Sequence, residues 1–335
     1  MKALFTVSVT AYALGIALSA AVCLMFLGWY CRKKKLSDNT AGIVAVLALP
    51  LGLICARLFY CLVKIRFYVY SNIGGAASML WLWEGGYSLW GALGGAVLAG
   101  VIAARVTRQK ISAVLDALAP SLALFVALER ALEYLDGNLG FSYEVTAEAF
   151  QRFPFAVFNE YWYGWMFAIC AVECLIALAI FVTLLLGKRR PGDTARLFFV
   201  LYGASQILME SLRKDDTPKW LFVRVYQLTA AIVVALLMLA AVIRWGVKKN
   251  DRRISAGSVA AYFVGFLLLV GVVVAMEFAV DGKILQDLVP WQIYGIMALS
   301  CAGIGFVAYQ VVFRSTVNRD GAAMVSAGQT TKRKK

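Results

Sequence analysis

Polar and apolar positions along the chain fall into long blocks. Continuous apolar runs cover roughly residues 4–29, 41–63, 88–104, 113–129, 162–187, 195–212, 221–246, 257–279 and 291–313. A helix needs about 20 such residues to cross a hydrocarbon core about 30 Å thick, so each run predicts a transmembrane helix. The runs lack the ten-residue alternation of a membrane barrel, which excludes that class. The pattern predicts an all-α polytopic membrane protein. The first run is too long for the apolar region of a typical signal peptide. Val22 before Cys23 is also wrong for lipoprotein-type cleavage, so this run is read as a true span. Composition agrees: 62% of the 335 residues are hydrophobic and 16% charged, with a mean hydropathy of +0.76. Soluble domains sit nearer half apolar and a quarter charged.

Charge then sets an expected orientation. The formal net charge is +14. Arg32 to Lys35 follow the first run, and Arg105, Arg108 and Lys110 the third. Lys188, Arg189, Arg190 and Arg196 follow the fifth, and Arg244, Lys248, Lys249, Arg252 and Arg253 the seventh. Arg314, Arg319 and the Lys332–Lys335 tail follow the ninth. All these clusters fall on one side, which the positive-inside rule makes cytoplasmic. The N-terminus is then outside and the C-terminus inside. Most acidic residues, Glu84, Glu133, Asp136, Glu144, Glu148, Glu160, Asp215 and Asp216, fall on the other side. The positive excess is topology and affinity for anionic head groups, so no nucleic-acid partner is expected. The chain has no histidine, which removes histidine acid–base chemistry and histidine-ligated metals. Seven cysteines occur without a CxxC pair, and most lie inside apolar runs. They read as small apolar residues, so no metal and no cofactor are expected.

Charges within or at the ends of spans are expensive and mark internal pairing or function. Four clusters stand out. Arg57, Tyr60, Cys61 and Lys64 share one face of the second run by helical spacing; Lys64 and Arg66 read as snorkelling, Arg57 as facing the bundle interior. Glu84-Gly85-Gly86 precedes the third run and reads as a turn lining a polar site, whereas Gly91, Gly94 and Gly95 are open to a helix-packing reading. At the end of the fourth run, Glu129, Arg130, Glu133 and Asp136 follow at spacings that allow an ion network. Glu129 and Asp136 read equally well as a solvated helix end, and Asp136-Gly137-Asn138 as a turn. Arg130 is the better functional candidate, because a guanidinium matches phosphate as a fork. Arg190-Pro191-Gly192-Asp193 opens the sixth run, and Tyr202, Gln206, Glu210 and Arg213 then form a polar stripe along it. That stripe is either an interhelical hydrogen-bond seam or a substrate-lining face.

The order of these elements resembles the bacterial prolipoprotein diacylglyceryl transferase family. The match is carried by Ala56-Arg57-Leu58-Phe59-Tyr60, by Gly85-Gly86-Tyr87-Ser88 with Gly91 and Gly94, and by Asp116, Ala119 and Pro120. It continues through Arg130 to Gly137, then Arg190, Gly192, Tyr202, Gly203, Glu210, Arg213 and Gln227. The resemblance implies a seven-helix core with the N-terminus outside, here residues 1–253. Residues 254–335 add two further spans and a basic tail. It also implies transfer of the diacylglyceryl group of phosphatidylglycerol, or a related anionic phospholipid, to the lipobox cysteine of a prolipoprotein signal peptide, at the bacterial cytoplasmic membrane. Departures from the family pattern are specific: Trp90 stands for a histidine, Glu133 for an asparagine and Gln206 for an arginine. Glu173 alone remains of a motif before the fifth helix. What the resemblance implies for the site is Arg57, Gly85, Gly86, Arg130, Glu133, Gln206 and Arg213 around the substrates, with Arg130, Glu210 and Tyr202 as catalytic groups. The alternative expectation is a scaffold that kept the fold and binds lipid or signal-peptide helices without transfer. A transporter fits less well, since there is no internal repeat and the charges avoid the midplane.

Overall fold

A long helix carries each of the nine apolar runs in the computed structural model of the chain. It describes residues 11–70, 75–81, 85–135, 140–159, 163–186, 189–214, 219–220, 223–247, 254–280, 284–285 and 287–314. Glu84, Asp136, Gly137, Asn138, Glu160, Lys188, Asp215, Asp216 and the basic tail, all named above, lie outside the described residues. The helices are α1 (Ala11–Lys33), α2 (Asp38–Val63), the short α3 (Ile65–Tyr70), α4 (Leu89–Val106), α5 (Ile111–Leu132), α6 (Ile169–Leu185), α7 (Asp193–Leu212), α8 (Val225–Val247), α9 (Ala256–Val280) and α10 (Pro290–Tyr309). Among the described residues, seven are long and apolar enough to cross a membrane: α1, α2, α4, α5, α8, α9 and α10. α6 is apolar but only 17 residues long, and α7 is diluted by its polar stripe. The chain is an all-α polytopic membrane protein, as its pattern predicts.

One expected boundary is wrong. The run expected to form a span over 162–187 begins as strand β3 (Gly164–Ala168). β3 is the centre of an antiparallel sheet between β1 (Phe141–Glu144) and β2 (Ala156–Asn159). Trp165 and Phe167 favour a strand, and a short apolar run does not announce which period it will take.

The chain divides into two compact units. The first holds α1 to α6, the sheet, and residues 212–220 and 224–226. Within it α2 and α4 run antiparallel at backbone contact. A Cβ on Gly91 would lie 2.4 Å from the Cys55 carbonyl oxygen, and one on Gly95 2.4 Å from that of Leu51, while Gly94 faces open space. Gly91 and Gly95 are therefore a small-residue packing seam. α5 pairs with α1, where the Ser121 hydroxyl donates to the Cys23 carbonyl at 2.7 Å, and with α6. The helix continues through Pro120, which lies buried inside α5. The second unit holds α7 up to Ser211, α8 from Gln227, α9 and α10. There Gly203 lets α7 approach Val234 of α8.

Each unit sorts its polar residues the same way. In the first, Tyr12, Arg57, Glu129, Arg130, Glu133 and Glu173 gather at one set of helix ends, while Arg32, Lys33 and Arg105 occupy the opposite ends. In the second, Ser211, Gln227 and Glu277 meet at the ends opposite Arg196, Arg244 and Arg314.

Candidate functional site

The C-terminal end of α5 and the N-terminal end of α6 bring five charged side chains together. Arg130 and Glu133 come from one turn of α5 and the turn after it. Glu173 comes from the second turn of α6, and Arg213 from the residue just past α7. Glu133 bonds both arginines: Arg130 Nη1 and Arg213 Nη2 each donate to one of its carboxylate oxygens, and Arg213 Nη1 donates to the first at 3.3 Å. Glu173 Oε2 sits 2.9 Å from Arg130 Nε and 3.2 Å from Arg213 Nη2. Glu129 Oε2 completes the cluster 3.5 Å from Arg130 Nε, and its other oxygen accepts from the Tyr12 hydroxyl at 3.1 Å. All five charged residues are buried.

Burying an ion costs several kcal/mol after relaxation, and a pair repays this only when its geometry is good. Two guanidiniums and three carboxylates in one apolar bundle are a poor way to gain stability. In a membrane such groups mark a working site. Two local features hold the cluster in shape. Gly140 (φ +69°) lies so close that a Cβ there would sit 2.7 Å from Cys170 Cβ and 3.0 Å from Glu133 Oε2, so only glycine fits. The 212–214 segment is tied to β1: Ser142 Oγ donates to the Leu212 carbonyl, and the Lys214 amide to that of Phe141 at 3.0 Å. Arg224 donates to the Arg213 carbonyl. Arg213 is thus held on its backbone side while its fork faces the carboxylates.

Arg57 occupies a second, different setting in the same unit. Its guanidinium donates to backbone carbonyls: Met79 at 3.1 Å, Ser78 at 2.9 Å, Gly85, and Gly86 at 3.4 Å. The Tyr68 ring lies 5.5 Å from it. Gly85 and Gly86 have φ of +76° and +75°, which turns their carbonyls toward Arg57. A Cβ on Gly86 would strike the Tyr60 ring at 2.4 Å. The glycines named from sequence and Arg57 therefore form one assembly, with the guanidinium as its hub.

The α7 residues Tyr202, Gln206 and Glu210 lie in the second unit and are buried along one helix face. The structure joins Arg130, Glu133 and Arg213 into one network, and Arg57, Gly85 and Gly86 into another. The solvated-end reading of Glu129 fails: it is buried, because α1 covers that end of α5 through Tyr12. Tyr12 was not legible as a site residue, since nothing in an apolar run marks a phenol that meets a carboxylate 117 positions away. Glu173 did carry a signal, as the lone acidic or basic residue in its run. Among the described residues no group of acidic residues and cysteines has the arrangement of a metal site.

Residues 1–246 match the family model described as prolipoprotein diacylglyceryl transferase. The chain is similar to the phosphatidylglycerol–prolipoprotein diacylglyceryl transferase of Frankia alni, with 28% identity over 256 residues, 74% of this chain and 67% of the relative. It is similar also to that of Listeria innocua, with 26% identity over 239 residues, 69% of this chain and 84% of the relative.

Proposed function

This chain belongs to the prolipoprotein diacylglyceryl transferase family, and from that premise we propose that its buried arginine–glutamate network is where it works. Its function is transfer of the diacylglyceryl group of phosphatidylglycerol to prolipoproteins, a step of lipoprotein biosynthesis. The acceptor is the lipobox cysteine thiol. A carbon–oxygen bond between the diacylglyceryl unit and phosphate breaks, and a carbon–sulfur bond forms. The thiol gives up its proton to become the nucleophile. Glycerol phosphate leaves with the bonding pair.

The observation that carries this reading is the pair of guanidiniums held by the same two carboxylates. Arg130 and Arg213 present planar forks suited to a phosphodiester and to the charge that grows on it. Glu133 and Glu173 already occupy those forks. A carboxylate that accepts the thiol proton loses its charge as the leaving phosphate gains one. The net charge beside the two arginines then stays constant through the step, so little reorganisation is required. With no histidine in the chain, a carboxylate or a phenol takes that role. Glu210 and Tyr202 on α7 are the further candidates, with Gln206 beside them on the same helix. Arg57, with Gly85 and Gly86, shapes the loop that borders the substrate.

The family match ends at residue 246, which supports assigning the transferase core to residues 1–253 and an added hairpin to 254–335. The segregation of basic residues supports an N-terminus outside, a C-terminus in the cytoplasm, and residence in the bacterial inner membrane.

The test is a transfer assay in detergent containing phosphatidylglycerol, with a lipobox peptide and mass detection of the thioether. The expected result is product from the wild-type chain, lost in folded Arg130→Ala and Arg213→Ala. Product that persists in both variants removes the network from the site. Bound lipid or peptide without product from the wild type favours the scaffold.

A further inference from the structure

We propose that the outward face of the β1–β3–β2 sheet is a lipid-contact surface, seated in the headgroup layer with Phe158, Trp165 and Phe167 as its anchors. The argument starts from the length of α6. Seventeen residues rise about 26 Å at 1.5 Å per residue, short of a hydrocarbon core about 30 Å thick. The other end of α6 is followed by Arg189 and Arg190, which hold it at the polar boundary. The remaining depth must be filled by what precedes Ile169. That is β3, Gly164-Trp165-Met166-Phe167-Ala168, which has no ionisable residue and joins α6 without a break. At about 3.4 Å per residue, the strand carries the chain from the edge of the hydrocarbon into the interfacial layer.

Strand backbone survives near that depth only when its amides and carbonyls are paired. β3 meets this condition because it is the central strand, bonded to β1 on one side and β2 on the other. The register then sorts the side chains. Phe158 faces Trp165 and Ala156 faces Phe167 across the β2–β3 ladder, so Phe158, Trp165 and Phe167 share one face. Phe158 is 43% exposed and Phe167 37%, and the Phe158 and Trp165 rings meet edge to face at 5.7 Å. The other face carries Val157 and Ala168, buried against Cys170, and Glu144 opposite Met166. Phe150, Arg152, Phe153 and Phe155, in the segment before β2, are exposed as well. An aromatic belt beside a cation is the composition of a membrane interface, where rings take the headgroup level and arginine meets phosphate. Which leaflet this is rests on the orientation proposed above; the depth does not.

The full-length chain in nanodiscs of phosphatidylglycerol and phosphatidylethanolamine provides the test. Lipids brominated near the headgroup or near the chain end quench tryptophan by depth, and the share due to Trp165 is the difference from Trp165→Phe. The expected result is a loss of Trp165 emission with shallow bromine that exceeds the loss with deep bromine, and little loss with aqueous iodide. Quenching by iodide alone overturns the proposal in favour of a solvated sheet. Protection from both overturns it in favour of a protein occupant, such as a second copy or the prolipoprotein. If the remaining tryptophans shift in Trp165→Phe, a nitroxide at Phe158→Cys measures the same depth. There, greater collision with oxygen than with a nickel complex is expected, and the reverse sinks the idea. An impermeant thiol reagent against Glu144→Cys reads the leaflet separately, so a wrong orientation is distinguishable from a wrong depth.

Discussion

Two arginine settings in the first unit use the same side chain for different ends. Arg57 is bonded to carbonyls of Ser78, Met79, Gly85 and Gly86. Arg130 and Arg213 are bonded to carboxylates of Glu133 and Glu173. Carbonyl oxygens of Ser78, Met79 and Gly85 tie the guanidinium to the loop backbone, so the first setting fixes the shape of a loop. Carboxylates satisfy donors and cancel charge together, so the second fixes an electrostatic balance that a substrate phosphate can upset. In sequence all three arginines are placed around the substrates, with Arg130 a catalytic group as well. Their difference is set by what lies opposite each one.

The sharpest way to break the comparison is to remove a network arginine. Arg130→Ala leaves Glu129, Glu133 and Glu173 around one fewer cation, a loss of about 3–5 kcal/mol for a buried pair. Transfer activity should fall by at least about a hundredfold, measured on the folded fraction from size exclusion. The Arg57 setting should respond to shape instead. Arg57→Lys keeps the charge but cannot fork toward four carbonyls, losing two or more charge-assisted bonds at about 1.5–3 kcal/mol each. Faster proteolysis near residues 78–86 should accompany a smaller fall in activity, and unchanged proteolysis would erase the distinction. Gly86→Ala should move in the same direction, since a Cβ there meets the Tyr60 ring; strain at a positive φ is about 1–3 kcal/mol. Glu133→Asn sharpens the charge side. It removes one negative charge beside Arg130 and Arg213, so KM for phosphatidylglycerol should drop even if kcat falls. A rise in KM would show that Glu133 does not compete with phosphate.

The smallest effect belongs to the second unit. Gln227 Nε2 donates to Glu277 Oε1 at 3.0 Å and to Ser211 Oγ at 2.9 Å, and Ser211 also donates to Glu277. Glu277 lies on α9, beyond the family match. Its bonds dock α9 on α7 and α8. Glu277→Ala should lower the thermal midpoint modestly, as expected for about 1 kcal/mol of interhelical bonding, with transfer activity nearly unchanged.

Much of the architecture was legible in the chain, because a span depends on hydropathy summed over neighbours. Nine runs, their helices and the segregation of basic residues need no tertiary information. The same reasoning overran at Gly164–Ala168, where an apolar strand and an apolar helix have the same local signature. Arg130, Glu133 and Arg213 were named from their spacing and their family motif. The Arg130–Glu133 pair follows from that spacing, but the bond of Arg213 to Glu133 does not, because Arg213 lies 80 positions away and is held there by the β1 contacts of residues 212–214. The glycines show the same division. Gly91, Gly94 and Gly95 are alike in sequence, yet only the first and third meet the α2 backbone. Local composition determined that this chain crosses a membrane and where its helices lie. The tertiary structure decided which charges neutralise one another, which glycine is obligatory and which carboxylate is buried, since each depends on the register between helices far apart in the chain.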